Sequence, residues 1–179
     1  MATREVCIAV LAVLGLAFVV RAQAQGPYGI GRSATPDEIA GWNIDIDREG
    51  KNLPPGSGSV NQGSIVFDQQ CSSCHGAKGE GGLGDKLVGG KGTLARPNPV
   101  KTVGSYWPYA PTLFDYIRRA MPLTAPQSLS DEDVYAVSAY ILNLNGLLPA
   151  DATLDAKTLS AIEMPNRNMF VGDPRPDVP

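Results

Sequence analysis

The sequence is poor in several residue types that common functions require. It has one histidine, His75, and three cysteines among 179 residues, so a zinc site built from four Cys or His side chains has little to draw on. It has no run of Lys or Arg, and its formal net charge is −3. A nucleic-acid partner is therefore not expected, because the chain lacks the basic patch that such binding needs.

Long apolar runs are also missing. The longest one, Cys7 to Val20, is 14 residues long, whereas a membrane-spanning helix needs about 20. It follows the basic residue Arg4 and precedes Ala22-Gln23-Ala24, which together make the three-part pattern of a secretory signal peptide. We expect residues 1–24 to be cleaved on export to the periplasm, leaving no membrane span in the mature chain. An uncleaved membrane anchor is the less favoured alternative.

Length and composition suit one compact domain with extensions, since 43% of the residues are hydrophobic. Residues 25–58 are rich in Gly, Pro and Asp, with Trp42 as the main apolar side chain, and predict an extended arm and linker. Residues 59–147 carry the helical patterns and predict the folded domain. Residues 148–179 are predicted to be a C-terminal extension with one short helix near Asp155 and a Pro-rich end.

Three helices are predicted within that domain. A capping-box pattern that begins at Ser59 predicts a first helix over about 60–71. Pro111 in a first turn and Pro122 beyond the last turn bound a second apolar pattern. A serine followed by three acidic residues opens a third helix over about 131–144. The predicted fold class is therefore all-α, with a glycine-rich loop between the first two helices.

One short motif carries the chemistry. Cys71-Ser72-Ser73-Cys74-His75 is the C-x-x-C-H pattern of c-type haem attachment. On a helix, Cys71 and Cys74 share a face, and His75 follows at once as an iron ligand. A thioredoxin-like thiol pair would need a βαβ setting, and zinc would need further ligands. We predict one covalently attached haem c, held by Cys71, Cys74 and His75.

The second axial ligand of the iron cannot be another histidine. Met121 is the favoured candidate, since it lies at the end of the second predicted helix, directly before Pro122, in an apolar neighbourhood. Plain core packing is the alternative role of this methionine, and Met164 and Met169 are runners-up in the Pro-rich tail. An open sixth position would instead make a ligand-binding haem. His/Met ligation raises the reduction potential and favours electron transfer.

Two aromatic residues precede the second helix. Tyr106 and Trp107 are predicted cofactor contacts, because their polar tips could bond a haem propionate while their rings cover it. Plain packing is an equally good interpretation. Four lysines could form a docking rim around the haem edge, although scattered lysines are usually just solvated surface: Lys78, Lys86, Lys91 and Lys101.

The motif, the methionine and the helix pattern together resemble the class I c-type cytochromes, over roughly residues 59–147. The resemblance implies a small helical haem domain that transfers electrons and has no catalytic residues of its own. It also implies that the first and last helices cross, with Gly63 allowing their close approach and Phe67 packing near Tyr140.

A narrower resemblance is to the cytochrome subunits of bacterial sulfite dehydrogenases and of the sulfur-oxidising sulfane dehydrogenase. It implies a molybdenum-cofactor partner that oxidises a sulfur compound and passes electrons singly to the cytochrome, which delivers them to a downstream cytochrome or oxidase. A general periplasmic shuttle for another dehydrogenase is the alternative. The chain has no second C-x-x-C-H, so one haem is expected. Four segments carry this resemblance: Gly41–Asp47, Leu53–Gly58, Lys101–Tyr109 and Arg119–Pro122.

Overall fold

The computed structural model describes residues 28–175, and the predicted signal peptide, residues 1–24, lies outside this part. The chain divides into two units, the first ending at Ile44 and the second beginning at Asp45. The described part of the first unit contains one helix, and the C-x-x-C-H motif belongs to the second unit.

The first unit contains helix α1 (Pro36–Ala40). The Thr35 hydroxyl accepts a hydrogen bond from the N–H of Glu38, and the Glu38 carboxylate accepts from the N–H of Thr35 in return, which satisfies two backbone donors at the helix start. Arg32 donates two hydrogen bonds, of 2.8 and 2.6 Å, to the same carboxylate. The bond from Arg32 lowers the pKa of Glu38 to about 2.

The second unit is mainly helical, which confirms the predicted fold class. It also contains a two-stranded antiparallel sheet, in which Gly58 is paired with Leu154. Each strand is only three residues long, too short for an alternating pattern to show in the sequence. Among the helices of residues 28–175, none is both long and apolar enough to cross a membrane. The elements are β1 (Ser57–Ser59), α2 (Val60–Gln70), α3 (Ser72–His75), α4 (Ala110–Ala120), α5 (Asp131–Leu144), β2 (Thr153–Asp155) and α6 (Ala156–Ser160).

Side-chain caps start the two long helices that cross. Ser59 and Gln62 form the predicted capping box of α2, with the Ser59 hydroxyl accepting from the N–H of Gln62. Ser130 caps α5 by accepting from the N–H of Asp133 at 3.1 Å. Both caps satisfy backbone donors that the first helical turn leaves unpaired.

Helices α2 and α5 cross at very short range. A Cβ atom on Gly63 would overlap the carbonyl oxygen of Ala136, so only glycine lets the two backbones approach this closely. One turn further on, the rings of Phe67 and Tyr140 lie 5.3 Å apart, tilted by 59°, a favourable aromatic arrangement. Both contacts that the resemblance implied are confirmed.

The core takes residues from outside the predicted 59–147 domain as well. Ile46, from the predicted arm, is buried, and its N–H donates to the carboxylate of Asp115 at 3.0 Å. Leu159 and Met164, from the predicted extension, are buried in the same apolar cluster. The short helix expected near Asp155 is present as α6. Isolated apolar residues within Pro- and Gly-rich stretches gave no periodic signal of this burial.

Candidate functional site

The C-x-x-C-H motif occupies the junction between α2 and α3. Cys71 separates the two helices and packs against the apolar core, whereas Cys74 is exposed. The two cysteines are not joined to each other by a disulfide. His75 is the last residue of α3, and its side chain is partly exposed. The motif therefore lies at the edge of the core, with Cys74 and His75 on helical backbone and Cys71 at the break between the two helices.

The His75 ring has a defined orientation. Its Nδ1 atom lies 2.7 Å from the carbonyl oxygen of Asp85. A carbonyl can only accept, so Nδ1 carries the proton and the neutral ring keeps its lone pair on Nε2. A backbone carbonyl bonded to one ring nitrogen is the usual way in which a histidine is aimed at a metal with the other.

Gly84 makes room for that ring. A Cβ atom at this position would lie 2.8 Å from Cε1 and 3.0 Å from Nδ1 of His75, closer than side-chain carbons approach. Gly84 also donates from its N–H to the carbonyl of Cys74 at 2.8 Å. Gly84, the loop residue directly before Asp85, is thus hydrogen-bonded to the motif and leaves space for the His75 ring.

The far half of the loop is tied to the end of α5. The N–H of Gly89 donates to the side-chain oxygen of Asn145 at 3.1 Å, and the Asn145 amide donates to the carbonyl of Leu87 at 3.1 Å. Gly104 approaches the same amide so closely that a Cβ there would overlap it. Asn145, the residue directly after α5, therefore anchors the loop to the end of that helix.

The Cys71 thiol is poorly suited to exchange chemistry. Burial raises the pKa of the Cys71 thiol to about 11, with a smaller contribution from Cys74. A reactive thiol of the thioredoxin type needs a lowered pKa, so this alternative finds no support. Within residues 28–175, no three Cys, His, Asp or Glu side chains gather closely enough to hold a metal ion.

Met121 follows α4 directly. Its N–H caps the helix by donating to the carbonyl of Ile117 at 3.0 Å, and its backbone then becomes extended. The Met121–Pro122 peptide is cis. The Met121 side chain is half-buried against the same apolar core as Cys71. The helix end therefore brings the predicted thioether and one of the attachment cysteines to a common core.

The other two methionines differ from each other. Met169 is 72% exposed, as expected for a tail, but Met164 is only 3% exposed and belongs to the core. Met164 is therefore held in the core although it lies in the Pro-rich tail. The reason is a side-chain anchor two residues further on, where the Asn166 amide donates to the carbonyl of Tyr106 at 2.6 Å.

The two predicted aromatic contacts have different surroundings. Trp107 is half-buried against the core, with its ring edge-on to Tyr116 at 5.8 Å. Tyr106 is 36% exposed and packs edge-on against Phe170 at 5.5 Å. The ammonium of Lys101 lies 5.1 Å from the centre of the Tyr106 ring. Trp107 therefore faces the core that Cys71 and Met121 share, and Tyr106 faces the tail.

Comparison with known proteins gives two findings. Residues 58–141 match the family model described as cytochrome C oxidase, cbb3-type, subunit III. A chain in the crystal structure of the sulfane dehydrogenase SoxCD from Paracoccus pantotrophus is 43% identical, with a TM-score of 0.76, over 82% of this chain and 73% of that one. The chain belongs to the c-type cytochromes. No curated protein matches it.

Membership of this family fixes two points. The cytochrome carries covalently bound haem c, and the Cys71/Cys74 pair fits the attachment motif. It is an electron-transfer protein rather than an enzyme in itself. The orientation of His75 agrees with haem attachment, because its bond to the Asp85 carbonyl leaves Nε2 free to bind iron.

The cytochrome also contains a buried charged contact that sequence analysis missed. Asp115, on α4, is 7% exposed and accepts from Arg119 as well as from Ile46. Its position within the apolar face of α4 was the available signal, because a buried carboxylate requires partners. This contact ties the segment before β1 to the helix that ends at Met121.

Proposed function

We propose that the protein is an exported monohaem cytochrome c that accepts electrons singly from a molybdenum-cofactor dehydrogenase acting on sulfite or a sulfane. The observation that carries this proposal is the 43% identity to a SoxCD chain over 82% of the present chain. Residues 1–24 would serve as the export signal, and the periplasm is where a C-x-x-C-H protein receives its haem.

The haem would be held by four side chains. Cys71 and Cys74 would form the thioether bonds, His75 would bind the iron through Nε2, and Met121 would supply the second axial ligand. The bond from His75 to the Asp85 carbonyl supports this assignment, because it fixes the tautomer that leaves Nε2 free. The haem iron supplies the chemistry, which is the exchange of one electron between the ferric and ferrous states.

The polypeptide contributes orientation and exclusion of water. Met121 lies on an apolar core at a capped helix end, where a thioether is shielded from competing water. Trp107 borders the same core and is the better placed of the two aromatic candidates for contact with the porphyrin ring of the haem. Tyr106 would reach a propionate only through its hydroxyl, because its ring packs against Phe170 and Lys101.

A reduction assay tests the proposal. The purified ferric protein is mixed with a molybdenum sulfite or sulfane dehydrogenase from the same organism and its sulfur substrate, and appearance of the ferrous spectrum is timed. We expect reduction at least tenfold faster than with a quinoprotein dehydrogenase and its own substrate. Equal rates with both enzymes would point to a general shuttle, and no reduction by the molybdenum enzyme would contradict the proposal.

A further inference from the structure

A groove of about 310 Å³ lies on the surface of the second unit, between the loop before α4 and the C-terminal tail. The residues of the C-x-x-C-H motif do not line it. Its walls are mostly apolar and aromatic, and one cation stands at the rim. The lining includes Leu94, Pro99, Lys101, Tyr106, Met169 and Phe170.

The tail wall of this groove is fixed in place. Asn166 is 4% exposed, and its amide donates to the carbonyl of Tyr106 at 2.6 Å. Met164, two residues earlier, is buried in the core. A buried amide bonded to backbone defines the course of the chain closely. The apolar residues that follow are therefore presented outward from an anchored point, and the packing of Phe170 against Tyr106 extends that order.

The exposed part of the tail is apolar. Met169, Phe170 and Val171 are 72%, 52% and 91% exposed, and they are consecutive. Single exposed apolar residues are ordinary, but a run of three beside an apolar groove makes a contiguous patch of the kind that marks interaction sites.

Two cations flank this patch. Lys101 lies over the Tyr106 ring at 5.1 Å, and Arg167 lies over the Tyr109 ring at 5.2 Å. Neither forms an ion pair with a carboxylate within residues 45–175, whereas Arg118 and Arg119 in the same stretch are both paired. The aromatic rings hold the two cations by cation–π attraction and leave their hydrogen-bond donors available.

We propose that this surface, formed by Lys101, Tyr106, Arg167, Met169 and Phe170, is the docking site for an acidic-rimmed apolar patch on the electron-donating dehydrogenase. The proposal rests on the proposed function. Charge complementarity selects the partner. The whole chain has a net charge of −3 and would repel an acidic protein, but here an apolar centre is bordered by two cations that have no carboxylate partner within residues 45–175. That combination of apolar centre and charged rim is how protein interfaces are built.

The location suits electron delivery. The segment that begins at Lys101 reaches Trp107 within six residues, and Trp107 packs against the core that also contains Cys71 and Met121. The residues between Lys101 and Trp107 include Val103, which is only 2% exposed, so one short segment connects the proposed surface to that core.

Charge reversal tests the surface. The double variant Lys101→Glu/Arg167→Glu is compared with Lys86→Glu/Lys91→Glu, which changes the net charge equally but on the glycine-rich loop that would border the haem edge. The second-order rate of reduction by the molybdenum dehydrogenase is measured at low and high ionic strength. We expect the first variant to be slowed about tenfold or more at low salt, with a weaker salt dependence than wild type, and the second to be slowed much less.

The outcomes separate the two proposals. If wild type is reduced but both double variants are slowed equally, the docking surface is overturned and the proposed function stays intact. The same holds if only the loop variant is slowed. Wild type not reduced at all would overturn both. Phe170→Ala provides a charge-neutral check. It should raise the dehydrogenase concentration at which the reduction rate saturates and leave the haem spectrum unchanged. An unchanged saturating concentration would count against the groove.

Discussion

The crossing of α2 and α5 and the loop from residue 76 to residue 105 are held together in different ways. The crossing is a packing contact, in which the backbone of Gly63 meets that of Ala136 and the ring of Phe67 meets that of Tyr140. The loop has no regular structure, and six of its nine glycines have positive φ. Hydrogen bonds to the motif and to Asn145 shape it. The crossing thus sets stability, and the loop sets the surroundings of His75.

The largest stability effect is expected at the crossing. Gly63→Ala places a Cβ against the Ala136 carbonyl, which is backbone and cannot move aside, so the free energy of unfolding should fall by about 3 kcal/mol. Denaturant titration measures it. Gly172→Ala is the matched control, because a Cβ there meets nothing within 4 Å, and it should change little. A loss at Gly63 no larger than at Gly172 would show that the helices do not cross this closely.

A glycine in the loop should affect the site more than the fold. Gly84→Ala brings a Cβ within 3.0 Å of His75 Nδ1, and we expect it to tilt the ring, weaken the Asp85 bond and perturb the low-spin haem spectrum. The cost in stability should be only about 1–2 kcal/mol. Leu83→Ala, at a neighbouring side chain that is 93% exposed, is the control. Identical spectra for the two variants would contradict the proposed role of Gly84.

A pH-dependent contribution is expected from α5. Burial raises the pKa of Tyr135 to about 12, and its hydroxyl donates to the carbonyl of Pro54 at 2.8 Å. The unfolded tyrosine ionises near pH 10, so this group's stabilisation is present below pH 10 and is lost as the pH rises towards 12. Tyr135→Phe should cost about 1 kcal/mol at pH 7.

Urea titrations of wild type and Tyr135→Phe at pH 7 and pH 11 measure this contribution. The difference in the free energy of unfolding between the two proteins should be smaller at pH 11 than at pH 7. A difference that stays constant or grows with pH would contradict the pH-dependent contribution assigned to Tyr135.

The smallest effect is expected at Ser138. Its hydroxyl is buried in α5 and has no hydrogen-bond partner within the described part of the chain. Ser138→Ala should leave the free energy of unfolding unchanged or raise it by up to about 1 kcal/mol. Ser105→Ala is the contrast, since that hydroxyl donates to the Val100 carbonyl at 2.7 Å and its loss should destabilise the loop. Destabilisation of equal size at both serines would contradict the unpaired state of Ser138.

Much of this structure could be predicted from sequence where local chemistry decides it. The cap at Ser59, the stop at Pro122 and the C-x-x-C-H motif are local signals, and the structure has helix boundaries at all three. The sheet between β1 and β2 could not be predicted, because it pairs residues almost a hundred positions apart. The burial of Ile46 and Met164 could not be predicted either, because it also depends on contacts with distant parts of the chain.

The candidate site shows the same difference between local signals, which can be predicted, and long-range contacts, which cannot. His75 was identified from its motif, but the residue that orients it, Asp85, acts through a backbone carbonyl that any side chain could accompany. Asn145 acts on the loop from the end of another helix. Contacts of this kind depend on how the chain folds back on itself, which a single sequence does not encode in a readable pattern.

The central claim is that His75 and Met121 close the iron's two axial positions and make this protein an electron carrier. The absorption spectrum of Met121→Ala, with carbon monoxide added to the reduced protein, tests it most directly. Met169→Ala, at an exposed tail methionine, is the control. We predict a low-spin spectrum and slow carbon monoxide binding for wild type and Met169→Ala, and a high-spin spectrum with rapid binding for Met121→Ala. An unchanged low-spin spectrum in Met121→Ala would contradict the account.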